Sequence, residues 1–450
     1  MELLPRLDPD EVRRLDRAHV FHSWSAQDLI DPPAIVSARG SRFTDHTGRE
    51  YLDFASQLVN LNLGHQHPEL VEAIAEAASR MTTMAPGFAA ETRSQAAAMT
   101  ADKAPGDLDS VFFTNGGADA NEHAIRMARI HTGRHKVLAA YRSYHGGTAA
   151  AMALTGEPRR WGSEPSFTGV VHYWGPYAYR SSFHSDGEEQ ECERALAHLR
   201  QTVEVEGPGQ VAAIVLETIV GTNGVLVPPD GYLAGVRELC DEYGIVMIAD
   251  EVMAGFGRAG EWFAVDHWDV TPDLITFAKG VNSGYVPLGG VIVSGAIRET
   301  FGQRSYPGGL TYQGHPLACA SAVASMRIFE RDDIIGRARS LGEDVIGPGL
   351  REIAQRHPSV GDVRGLGVMW AVELVRDRET REPLVPFNAT GSDAAPMGEV
   401  AAACKKSGLW PMVSGNRVHV VPPLTTSPDE VREGLAILDE ALSVADAHTA

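Results

Sequence analysis

Short apolar runs that end in small or charged residues recur through the middle of the chain: VFFTNG (111–116), VAAIVLE (211–217), IVMIAD (245–250), LITFAKG (274–280) and GGVIVSG (289–295). Runs this short, partly β-branched and without a polar face predict strands covered on both sides. Between them the apolar spacing turns helical. ADANEHAIRMARIHTG (118–133) carries acids early, arginines late and Gly133 where a helix would stop. Such alternation predicts an α/β unit around a mostly parallel sheet. After Gly309 the pattern changes to a helix through HPLACASAVASMRIFERDD, a helical stretch to about Gln355, the strand-like VGDVRGLGVMWAVELV and RVHVVPP, and a last helix, PDEVREGLAILDEALSVADA. That order predicts a smaller α+β domain. The expected division is residues 1–63 packing with the small domain, 64–330 as the large domain and 331–450 as the small one. Within the first segment GSRFTDHTGREYLDF predicts a strand pair turning at Asp45 to Gly48. Ser163–Gly187 and Arg376–Gly391 follow neither period and are predicted loops.

Length agrees with two domains, because 450 residues exceed what one hydrophobic core supports. A net charge of −20 repels nucleic acid and anionic lipid, although one basic pocket for a single phosphate remains compatible with it. Cys192, Cys240, Cys319 and Cys404 are widely spaced and form no CxxC pair. Neither a disulfide framework nor a structural metal is expected, and a reducing cytoplasm fits. The N-terminal MELLPRLDPDEVRRLDRAH is too charged for a signal peptide, and no apolar run reaches the length of about 18 residues needed to span a bilayer.

In open α/β sheets ligands gather at the carboxyl ends of the strands, so the polar residues just after the apolar runs are the first candidates. FFTNGGADANE places Gly116, Gly117 and Ala118 where a strand gives way to a helix. Its backbone N–H groups would suit a phosphate, or form an ordinary turn. VMIAD leaves Asp250 at the end of a strand apolar enough to bury it, and a buried carboxylate needs a partner. That partner is a pyridinium nitrogen or, the commoner case for a single Asp, a helix N-terminus or ion pair. Lys279 ends LITFAK. Desolvation lowers an amine's pKa and favours the neutral nucleophile that a Schiff base requires, whereas a snorkelling surface lysine is the competing account. Glu217, ending VAAIVLE, orients substrate or cofactor, or caps the next turn. Tyr144, before Gly146 and Gly147, offers a ring to stack on a flat group or simply to pack.

Taken in order, these residues resemble the class III aminotransferases, the ω-amino acid branch of the fold type I enzymes that use pyridoxal 5′-phosphate (PLP). The similarity runs through YLDFASQLVNLNLGHQHPEL, FFTNGGADANEHAIRMAR, YHGGT, ETIVGTNGVLVPP, ADEVMAGFGRAG, DLITFAKGVNSGYVPLGGV, GGLTYQGHPLACA, VRGLGVMWAVEL and NRVHVVPPL. It implies a large domain with a mostly parallel sheet and a smaller α+β domain. It implies that Lys279 carries PLP as a Schiff base and shuttles the proton, and that Asp250 faces the pyridine nitrogen. Gly117 and Ala118 would hold the phosphate, Tyr144 and Val252 the two ring faces, and Thr311 the phosphate of a neighbouring subunit. Glu217 belongs with the cofactor-binding group. A homodimer with shared sites follows, with a dimer of dimers left open. The implied reaction moves an amino group from a small amino compound to pyruvate or another 2-oxo acid by ping-pong kinetics.

The substrate side departs from the best-known patterns. Leu58 or a neighbour stands where many ω-amino acid:pyruvate enzymes have Trp, and Met412 where many have a mobile Arg. In the 4-aminobutyrate branch an Arg stands roughly at His419, and Arg417 lies two residues earlier. Either His419 or Arg417 is expected to meet a carboxylate or sulfonate. Trp24 matches an aromatic at the entrance, and Arg364 is expected to be structural. The look of NRVHVVPP after GLW is closest to the taurine or β-alanine:pyruvate branch. Rival readings are a 4-aminobutyrate:2-oxoglutarate or decarboxylating aminotransferase, an aminomutase or racemase, and a catalytically silent binding module. A nicotinamide enzyme is disfavoured: GFGRAG (255–260) has the GxGxxG spacing, but it does not open a helical pattern directly after a strand.

Overall fold

The computed structural model describes residues 3–449. Its centre is a seven-stranded sheet in the order Leu108–Thr114, Gly289–Ser294, Leu274–Phe277, Val246–Asp250, Val211–Glu217, Lys136–Ala140 and Val170–Tyr173. The five strands from Leu274–Phe277 to Val170–Tyr173 run parallel. Every residue of Val211–Glu217 and Val246–Asp250 is buried, as expected of strands covered on both faces. One face packs on Gly117–Thr132 through Ala120, Ala124 and Ala128, and the other on helices Glu188–Glu206 and Tyr232–Tyr243 through Leu199, Val236 and Leu239. Gly133 ends the first of these helices at φ +69°, with its N–H donating to Arg129 O.

Register brings the predicted strand-end residues together. Glu217 lies opposite Asp250, and Asp250 opposite Thr276. Three neighbouring parallel strands therefore end at one level, and the chain reaches Lys279 just beyond the third.

Two other sheets flank this core. Ile35–Arg39, Arg42–Asp45 and Glu50–Asp53 form an antiparallel sheet, whose turn is closed by Gly48 N–H donating to Asp45 O. Leu409–Trp410 adds to it in parallel, so residues from both ends of the chain share a sheet. Val360–Leu366, Met369–Asp377, Arg417–Val420 and Met412–Ser414 make the other. Leu52 and Phe54 join Leu350, Val372, Leu435 and Leu438 in one apolar cluster. Helix Pro428–Asp446 starts on a capping box: Ser427 Oγ accepts from Glu430 N–H, and Glu430 accepts from Ser427 N–H.

Arg258, fully buried, stitches these parts together. It donates to Pro422 O, Val368 O, Asn62 Oδ1 and Ser56 Oγ.

One strand departs from the mostly parallel sheet, and one expectation needs correction. Gly289–Ser294 is antiparallel to both neighbours. A run buried along its whole length looks the same in either direction, so its sense was not legible. The predicted loops also contain strands, Val170–Tyr173 and Glu382–Pro383. Both sit at edges, where half-burial leaves no continuous apolar run.

Candidate active site

The floor of the site is built on Asp250. Its Oδ2 accepts from Asn121 Nδ2 at 2.8 Å and stands 2.7 Å from His145 Nδ1, and its Oδ1 accepts from Val252 N–H at 3.0 Å. Asn121 comes from helix Gly117–Thr132. It also donates to His145 O and accepts from Thr276 Oγ1, which ties the helix to the sheet. His145 is buried. Burial opposes its protonation, but the hydrogen bond to Asp250 and that residue's charge outweigh it and raise its pKa. Asp250 is thus fixed by three donors from three elements, as an orienting carboxylate must be.

Lys279 follows Leu274–Phe277 and opens a short turn in the left-handed region at φ +43°. A non-glycine residue held there costs about 1–3 kcal/mol and persists where the surroundings dictate it. Burial lowers its pKa. The charges of Asp250 and Glu217 oppose that shift and Arg159 adds to it. Glu217 accepts from Tyr144 N–H at 2.9 Å and Gly221 N–H at 2.7 Å, and burial pushes its pKa up to about 7.

These groups line one cavity of 390 Å³, together with Leu58, Gly117, Ala118, Tyr144 and Val252. The first turn of helix Gly117–Thr132 has backbone N–H groups without intrahelical acceptors, and Gly117 and Ala118 are its first two residues. Gly116 and Gly147 also border the cavity, and a Cβ on either would meet nothing within 4 Å. A Cβ on Gly117 would approach Val252 Cγ1 to 2.7 Å. The cavity therefore offers an amine with a depressed pKa, a fixed carboxylate, an aromatic ring and a helix N-terminus beside glycines. That donor set fits PLP: Lys279 for the carbonyl carbon, Asp250 for the ring nitrogen and the helix start for the phosphate.

The predicted substrate-side residues other than Leu58 lie outside these walls. Leu58 does line the cavity, 58% exposed, on a turn where Ser56, Gln57 and Val59 all have positive φ. Trp24 is 67% exposed, with Arg159 5.9 Å from its ring. Thr311 sits in an exposed turn. Met412 packs half-buried against the cluster of Val59 and Val421. Arg417 donates to Ser414 O and lies against Gly224 rather than in the cavity.

His419 needs a correction. It is fully buried 3.3 Å from Gly221 O, and burial pushes its pKa down to about 3, so it offers no cation to a substrate. Arg364 is held by Glu373, Asp362 and Gly224 O, as expected of a structural residue.

Three residues escaped the sequence reading. His145 adjoins Tyr144 in YHGG, and Asn121 lies in the quoted helix, yet only the register of separate elements aims both at Asp250. The third is Arg159, whose guanidinium stacks 3.7 Å from the Tyr144 ring centroid and donates to Thr222 Oγ1. Thr222 borders the cavity. The adjacent arginines in EPRRW were the available signal.

A strand-end lysine, a carboxylate pinned from three sides and a helix start around one cavity define a PLP-dependent transferase. The chain belongs to the aminotransferase class III family, which it matches over residues 26–442. It is 34% identical to the taurine–pyruvate aminotransferase of Rhodobacter capsulatus, with 97% of each chain covered. Its identity to the 4-aminobutyrate aminotransferase of Escherichia coli is also 34%, over 92% of this chain and 95% of that one. The structure of taurine:2-oxoglutarate aminotransferase from Bifidobacterium kashiwanohense, in complex with PLP and glutamate, superimposes with a TM-score of 0.95 at 41% identity, covering 99% of this chain and 100% of that one. The protein is a PLP-dependent aminotransferase that works on an amino donor and an oxo acid acceptor. Among the described residues no helix is long and apolar enough to cross a membrane.

Proposed function

We propose that this enzyme transfers the amino group of a small ω-amino acid with an acidic far end, such as taurine or β-alanine, to pyruvate or 2-oxoglutarate in two ping-pong half-reactions. The observation that carries the reading is Arg159, whose guanidinium, held by Glu157 on one edge, stacks on Tyr144, a wall of the cavity that holds the reactive amine. A donor short enough to span the two has an amino group at one end and an acid at the other. The taurine-using relatives support the same class.

When bound, PLP supplies an electron sink for the charge left as the donor's C–H bond gives up its proton. Lys279 Nζ would hold the cofactor at its carbonyl carbon and, as a free amine, would move that proton as base and acid. Asp250, kept in place by Asn121, His145 and Val252 N–H, would keep a proton on the ring nitrogen. Gly117 and Ala118 N–H groups would hold the phosphate, Tyr144 and Val252 would hold the ring, and Glu217 fixes the Tyr144 backbone. Arg159 binds the donor's carboxylate or sulfonate, with Trp24 beyond it.

We propose further that the enzyme is a cytoplasmic homodimer whose subunits complete each other's sites, divided at about residues 63 and 330. The exposed Phe88 and Tyr312, and Thr311 beside the latter, support a partner there. Four buried free cysteines accord with a reducing compartment.

Holoenzyme assayed with taurine, β-alanine, 4-aminobutyrate and uncharged amines against pyruvate and 2-oxoglutarate tests the reading. Acidic donors should exceed uncharged ones by at least about tenfold in kcat/KM, and Arg159→Met should erase most of that gap while PLP stays bound. Equal use of uncharged amines, or an unaltered gap in the variant, refutes it. Lys279→Ala should abolish turnover and the covalent attachment of PLP, and retention of either overturns its role.

A further inference from the structure

A second cavity of 350 Å³ lies next to the catalytic one. Thr222 borders the catalytic cavity, and the next residue, Asn223, borders this one. Four aromatic rings surround it: Tyr141, Trp161, Trp174 and Phe387. Tyr141 and Trp174 have centroids 4.6 Å apart, while Trp161 is 51% and Phe387 79% exposed at the mouth. Large rings left in water beside a concave surface mark a binding site more often than a resting surface.

The polar groups in this wall are also uncommitted. Arg142 lies 4.9 Å from both the Trp174 and Tyr177 rings, yet its guanidinium has no ion pair and donates no hydrogen bond among the described residues. Its backbone is held at φ +66° by its N–H donating to Gly156 O. Burial depresses its pKa and neighbouring Arg417 adds to the effect, while Tyr177 and the carboxylates of Glu373 and Glu191 offset it only in part, so an anion in direct contact would stabilise the charge. Asn223 is only 9% exposed, and its amide Nδ2 is buried without a hydrogen-bond partner. Such a group costs about 1–3 kcal/mol unless a ligand or water completes it. The other charges in the wall are matched: Glu157 bonds Arg159, and Arg160 bonds Glu164.

We propose that this cavity is a second ligand site, distinct from the catalytic one, that takes a flat aromatic carboxylate with its ring among Trp161, Trp174 and Phe387 and its acid group on Arg142 and Asn223. Planar guanidinium suits a carboxylate, and the ring faces suit a flat apolar body.

Calorimetric titration of the PLP-loaded enzyme with benzoate tests this. One benzoate should bind per chain with a Kd of about 1 mM or tighter, the range expected for a ligand of this size. Benzamide, which lacks the charge, and acetate, which lacks the ring, should bind at least about tenfold more weakly. Arg142→Met should weaken benzoate by about tenfold or more, and Asn223→Ala and Trp161→Ala by at least about threefold. Asn223 has no internal hydrogen bond to lose and Trp161 is half in water, so these two decide the matter if Arg142→Met fails to fold. Arg159→Met should leave benzoate affinity within about twofold. Absence of saturable binding overturns the proposal. So does benzamide binding as well as benzoate, or affinity lost in Arg159→Met and kept in Arg142→Met, which would put the acid in the catalytic cavity and leave the proposed function standing.

Discussion

Glu217 makes the stability of the cofactor-free protein depend on pH with a definite sign. Burial raises its pKa from 4.5 to about 7, against the pull of His145 and of the N–H groups of Gly221 and Tyr144. A carboxyl whose pKa is higher in the folded state takes up a proton on folding. Its stabilising contribution is therefore complete below pH 4.5 and disappears as the pH rises through about 7. The full shift is worth about 3 kcal/mol, of which about 2.5 kcal/mol falls between pH 5 and 8. Glu217→Gln replaces the titrating group with an amide of the same shape, so the wild-type minus variant difference isolates this residue from Glu251, which burial also pushes up to about 7. Urea unfolding followed by tryptophan fluorescence at pH 5 and 8 should show that difference falling by about 2.5 kcal/mol as the pH rises. A difference constant to within about 0.5 kcal/mol would refute the argument that burial dominates at this site. The residue also bears on chemistry, because ionised Glu217 favours the protonated form of Lys279.

Gly117→Ala puts a methyl 2.7 Å from Val252 Cγ1 and 2.8 Å from Cγ2, and displacement of Val252 toward the ring should weaken PLP by about 5- to 100-fold in an absorbance titration. An affinity within about twofold of wild type would show that Val252 moves away instead. Arg258→Met leaves Pro422 O, Val368 O and Asn62 Oδ1 without their buried donor and should cost about 3–5 kcal/mol in chemical unfolding, with a cost below about 1 kcal/mol counting against its bridging role. Asn121→Ala removes one donor from Asp250 and one from His145 O, and should loosen PLP while leaving Lys279 attached when the cofactor is saturating. Wild-type cofactor affinity in that variant would mean that His145 alone suffices to orient Asp250.

Residues on strand ends were legible because continuous burial constrains them. A parallel strand covered on both faces must be apolar throughout, so the first charged residue after it marks the edge of the sheet where ligands gather. Asp250, Glu217 and Lys279 all carry that mark, and register alone then sets the first two side by side. His145 and Asn121 carry none, since each meets Asp250 through the packing of separate elements rather than through any local pattern. His419 shows the opposite failure. Its alignment to an arginine of relatives suggested a cation, while its own neighbours, Val418 and Val420, placed it in a buried strand where a charged imidazole would be uncompensated. The local pattern was the better guide there. Arg159 sits in a short 3₁₀ turn, Pro158–Ser163, and turns are placed by the scaffold beneath them rather than by their own periodicity. If Arg159 binds the donor as proposed, cofactor chemistry in this fold rests on strand ends, whose positions burial dictates, and substrate choice on turns. A change of donor needs only a new side chain on such a turn, while Lys279 and Asp250 stay where the sheet puts them.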